Sequence, residues 1–82
     1  VFLAAAWNDL GLVLRDRGDT ADAEAHFRTA IAEIPPEHPW RGVFRFNLAG
    51  VLRTLGRHRE AAAMMREILA ADLATHGPDH SV

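Results

Sequence analysis

The chain has 82 residues, a formal net charge of −2 and no cysteine, so it holds one small, marginally stable domain without disulfides or thiolate metal sites. Nine basic residues are interspersed with eleven acidic ones, which leaves no electrostatic case for nucleic acid or an anionic membrane as main partner. No apolar run approaches the roughly 18–20 residues that span a bilayer, and no basic segment precedes Val1-Phe2-Leu3-Ala4 as in a secretory leader.

About half of the residues are apolar, as in folded domains and well above disordered chains. Every basic residue is Arg and Ala is abundant, a bias that points to a GC-rich bacterial genome. The first residue is Val rather than Met and reads as the interior of something longer.

Residues 2–17 place Phe2, Leu3, Ala6, Trp7, Leu10 and Leu14, with Val13 nearby, at three- and four-residue spacing, which predicts a helix with one apolar stripe. Gly18 is positioned to stop it in the left-handed conformation. Asp19 and Thr20 are the expected caps of a second helix running to about Glu33, with Ala23, Phe27, Ala30, Ile31 and Ile34 facing inward.

Pro35-Pro36-Glu37-His38-Pro39 forms a connector, since proline ends one helix and suits the first turn of the next. The third helix is expected from Trp40 to Leu55, with Phe44, Leu48, Val51, Leu52 and Leu55 inward, and Gly56 closes it. The fourth is expected over Arg59 to Thr75, with Ala61, Met64, Met65, Ile68, Leu69 and Leu73 inward, ending at Gly77-Pro78. No stretch alternates with period two, so no strand is expected. Short turns make neighbouring helices antiparallel. The expected fold is all-α, two stacked antiparallel helix-turn-helix hairpins.

The second hairpin repeats the first. Leu10, Gly11, Leu14, Gly18 and Ala23 return as Leu48, Ala49, Leu52, Gly56 and Ala61, each 38 positions later. The small residues leave room for the partner helix, with Ala23 and Ala61 expected opposite Gly11 and Ala49, while Trp7 and Phe27 fill the space between hairpins. Pro36-Glu37-His38-Pro39 returns as Pro78-Asp79-His80-Ser81 at a longer spacing of 42. The four extra residues are about one helical turn, so the fourth helix lengthens without rotating its apolar face.

Trp7, Leu10, Gly11, Leu14, Gly18, Ala23, Phe27, Ala30 and Pro35 together resemble the tetratricopeptide repeat signature. The second copy keeps Leu48, Ala49, Leu52, Gly56 and Ala61, puts Met65 at the Phe position, and departs at Arg45, Ile68 and Leu73. Longer repeats with Gly-Pro-Asp-His and Asn-Leu-Ala resemble the kinesin-light-chain-like subgroup, and such bacterial arrays resemble those attached to signalling ATPases and regulators. Repeat one then covers about 2–35, repeat two about 40–75, and a further repeat begins at 78–82.

The resemblance implies a cytoplasmic scaffold that docks a peptide or helix in a concave face lined by the first helix of each repeat. Carried over, that face comprises Asn8, Asp9, Leu12, Arg15 and Asp16, then Val43, Phe46, Asn47, Gly50, Arg53 and Thr54. Asn8 and Asn47 would hydrogen-bond an extended backbone, Leu12 and Phe46 would supply apolar contact, and Arg15 with Arg53 would clamp a carboxylate. The alternative is self-assembly through the repeat ends, because Phe2, Leu3, Met64 and Leu73 are expected to lack cover in a two-repeat unit.

Chemistry has little footing here. His76 and His80 have chelating spacing, but Gly77-Pro78 between them breaks the helix. Ser81 stands alone without a nucleophile elbow, and Glu67 and Asp72 are five apart and read as surface charges. Neither enzyme activity, a metal nor a cofactor is expected.

Overall fold

The computed structural model describes residues 2–76, and in them the chain forms four helices and no strand. These are α1 (Phe2–Asp16), α2 (Thr20–Ala32), α3 (Trp40–Thr54) and α4 (His58–His76). Each end lies within two residues of its sequence-based expectation. Each helix packs chiefly on its neighbour in sequence, α1 on α2, α2 on α3 and α3 on α4, with a smaller contact between α1 and α3. The molecule is a slab of 39 × 30 × 19 Å, about two helix diameters thick.

The two hairpin turns are built alike. Gly18 and Gly56 have φ of +88° and +86°, a conformation that costs other L-residues steric strain. The Gly18 N–H donates to the Arg15 carbonyl and the Asp19 N–H to the Leu14 carbonyl. Gly56 and Arg57 do the same with Arg53 and Leu52. This is the Schellman closure, which satisfies carbonyls a helix end would otherwise leave without donors.

The expected side-chain caps of α2 do not form. Asp19 occupies the capping position but makes no side-chain cap bond; its carboxylate faces the Arg17 guanidinium at 3.8 Å. The Thr20 hydroxyl donates back to the Gly18 carbonyl at 3.4 Å. At the connector, the His38 N–H closes a turn onto the Pro35 carbonyl. His38 Nδ1 accepts from the Trp40 N–H at 3.0 Å and its ring lies 5.0 Å from the Trp40 indole. His38 is thus a structural part of the turn, satisfying one of the orphan amides at the start of α3.

Two apolar clusters hold the hairpins together. One joins Ala23 and Phe27 of α2 to Leu48, Ala49, Val51, Leu52 and Ala61. The other joins Ala4, Ala30, Ile34 and Phe44, with Trp7 against it. Phe27 is fully buried and explains Gly11: a Cβ there would stand 2.7 Å from the Phe27 ring. The atoms nearest to where a Gly11 side chain would begin are those of this ring.

Several residues expected inside lie outside. Leu10, Val13, Leu55, Met65 and Leu69 are exposed, while Met64, expected to lack cover, packs against the first cluster. Phe2 and Leu3 are exposed as anticipated. A two-helix slab has two broad faces, and only one side of each hairpin has another hairpin against it. The side chain of Leu73, the Gly77-Pro78 stop, the residues 78–82 and the histidine pair reaching His80 lie outside the described residues.

Candidate docking surface

The residues expected on the binding face do not share one environment. Asn8 is 93% buried, and its side-chain carbonyl accepts a bond from the Asn47 amide at 3.1 Å. The two asparagines expected to grip a ligand thus tie α1 to α3. Asn47, half-buried, keeps its other N–H and its carbonyl. Asp9 is exposed, and Leu12 is half-buried against the core.

The two arginines also differ. Arg15 donates to the adjacent Asp16 carboxylate at 3.2 Å, and both side chains are exposed. Arg53 is exposed and makes no ion pair among the described residues. The Thr54 hydroxyl donates to the Gly50 carbonyl at 3.2 Å, as a helix-surface threonine does.

What the fold brings together is a groove between α3 and α4. Phe46, Gly50, Arg53 and Thr54 line one wall; His58, Ala61, Ala62 and Met65 line the other, around a volume of about 370 Å³. A second trough of about 390 Å³, lined by Phe46, Met65, Arg66, Ile68 and Leu69, shares Phe46 and Met65 with it. Four of the expected site residues therefore form half of a groove whose other half comes from α4. Gly50 leaves its part of the wall open, with nothing within 4 Å of where a side chain would begin.

Spacing along α4 puts Ala61 and Met65 with the core, so spacing alone does not reveal this wall. The signal was present in the repeat. Met65 stands 38 positions after Phe27, and Phe27 is covered by the following hairpin.

An ion network joins the hairpins elsewhere. Arg28 donates to Glu24 and Glu60, each at 2.9 Å, and Arg57 to the same two carboxylates at 2.8 and 2.6 Å. The bonds from Arg28 and then Arg57 hold the Glu60 carboxyl below the ordinary glutamate range. Arg45 also binds Glu67, linking α3 to α4. Among the described residues there is no group of three or more potential metal ligands, and no helix is long and apolar enough to cross a membrane.

A family model described as Tetratricopeptide repeat matches residues 2–74. No curated protein and no solved structure gives a match.

Proposed function

The chain belongs to the tetratricopeptide repeat family, and we propose that it is a protein–protein interaction scaffold that docks a peptide or helix on the face presented by α1 and α3. Repeats of this family commonly serve protein interaction and are typically non-catalytic. The observation that carries the docking site is the groove in which Phe46, Gly50, Arg53 and Thr54 meet α4. Its walls are largely apolar, suiting a helix or extended segment with apolar anchors, and the unpaired Arg53 at its edge suits an acidic side chain. Asn47 on α3 and Asp9, Leu12 and Arg15 on α1 complete the proposed face, and Asn8 acts through its bond to Asn47.

In the finer reading the repeats are 2–35 and 40–75, with a third beginning at 78–82, and they resemble the kinesin-light-chain-like subgroup in a bacterial cytoplasmic protein. The all-arginine basic set and the longer spacing support it.

The test uses peptides selected from a random display library against the chain, with their footprint mapped by amide shifts. Peptides bearing apolar anchors and an acid should shift Phe46, Gly50 and Thr54 and lose affinity in Phe46→Ala/Arg53→Ala, both exposed positions, while helical content stays unchanged. A footprint elsewhere, or affinity untouched by the double variant, would refute the site.

A further inference from the structure

The first hairpin is held to the second by contacts of two kinds. Along the seam between α2 and α3 the contact is apolar, with Phe27 buried in one cluster with Leu48, Val51 and Leu52 and with Ile31 packed against it. Apolar burial is non-directional, so the seam resists separation of the hairpins more than a change in the angle between them. Direction comes from polar contacts that flank the seam. Between α1 and α3, Asn47 donates to Asn8 at 3.1 Å. Between α2 and α4, no Cα of one helix lies within 8 Å of a Cα of the other among the described residues, and long charged side chains bridge the gap. Arg28 donates to Glu24 and Glu60 at 2.9 Å, and Arg57 donates to Glu24 at 2.8 Å and to Glu60 at 2.6 Å. The four groups form a closed ring of alternating charge. Two of its links stay within a hairpin, and two cross from one hairpin to the other.

We infer that this ring is a releasable latch on a hinge: closed, it fixes the angle between the hairpins, and screened by dissolved ions, it lets them pivot about the α2–α3 seam. The side chains of Arg28, Arg57 and Glu60 are 46%, 44% and 41% exposed, and ion pairs so exposed weaken as salt rises. The asparagine pair is neutral and the seam apolar, so neither is released in the same way. A trough of about 350 Å³ lined by Arg28, Ile31, Arg45, Leu48, Glu60 and Met64 leaves room on this side for the angle to change. Because α1 and α3 carry the proposed docking face, the hinge also sets the spacing of that face, a consequence that rests on the docking reading.

Spin-label distances in dilute solution test the hinge. The chain has no cysteine, so Ala32→Cys/Ala70→Cys puts one label on α2 and one on α4, at exposed positions away from the ring. Raising salt from about 0.01 M to about 1 M shortens the screening length from about 30 Å to about 3 Å. The distance should then lengthen by on the order of 2 Å, the size of a helix shift at an interface, and its distribution should broaden. A control pair within the first hairpin, Asp9→Cys/Ala32→Cys, should not move. In the labelled chain, Glu24→Arg/Arg28→Glu keeps a pair within α2 and the Arg57–Glu60 pair but sets like charges opposite each other at both crossing links. It should open the hinge already at low salt, with helical content unchanged. Adding Arg57→Glu/Glu60→Arg restores the alternation and should restore the short distance. A wild-type distance that ignores salt, or a full swap that stays as open as the half swap, would overturn the inference. The salt series needs no substitution in the ring, so it decides the matter even where the half swap fails to fold. The distances are read without any peptide, so the hinge and the docking site fail separately.

Discussion

Replacing Gly11 by alanine separates helix propensity from packing at one residue. The added methyl would lie 2.7 and 2.8 Å from Cε1 and Cδ1 of Phe27, well inside the roughly 3.5–4.0 Å at which carbon atoms attract. The ring has nowhere to retreat, since Phe27 is fully buried among Leu48, Val51 and Leu52. Alanine favours a helix over glycine by about 1 kcal/mol, while overpacking a filled core costs about 1–3 kcal/mol. Gly50 provides the control, because it lies within α3 with nothing within 4 Å of a new Cβ. Gly50→Ala should stabilise and Gly11→Ala destabilise. The gap between them isolates the packing cost at about 1–3 kcal/mol, since the propensity term is common to both. The assay is urea unfolding followed by far-ultraviolet circular dichroism at low protein concentration, where association does not add to stability. Phe27→Leu in the Gly11→Ala background should recover part of the loss, as expected for residues in contact. If Gly11→Ala stabilises as much as Gly50→Ala, the close approach of α1 to Phe27 is wrong.

Three further outcomes follow from other contacts. Asn47→Leu should cost about 1–3 kcal/mol by leaving the buried Asn8 carbonyl without its donor, and Asn8→Leu/Asn47→Leu should cost less than the single change; a double variant worse than the single would count against the pair, as read by denaturant unfolding. Gly56→Ala should destabilise by about 1–2 kcal/mol despite its open surroundings, because the cost lies in the positive φ, and a rise in the thermal midpoint would contradict this. Glu60 is held ionised by Arg28 and Arg57, so its folded pKa lies below its unfolded one. Its contribution is present above the ordinary glutamate range and is lost as pH falls through that range toward the folded value. Glu60→Gln should therefore flatten the acid side of the thermal midpoint profile, and an unchanged slope would place the acid sensitivity elsewhere.

The helices and their turns were legible in the residues because they depend on local physics. Apolar spacing drew the stripes, Gly18 and Gly56 were the residues able to take positive φ, and Pro35-Pro36 interrupted the chain. The family was legible for the same reason, since its signature consists of close-contact residues such as Gly11 and Phe27. Burial was legible only in part. Leu10 and Leu48 look alike in sequence, and so do Val13 and Val51, yet one of each pair is exposed and the other buried. What separates them is the neighbouring hairpin, and no local pattern encodes which faces find a partner. The same holds for the docking surface. Sequence placed Asn8, Asn47, Arg15 and Arg53 on one face, but the tertiary structure turned the asparagines toward each other, gave Arg15 to Asp16 and left Arg53 beside a groove half made by α4. Periodicity assigns a residue to a side of its own helix; distances between helices decide what that side meets.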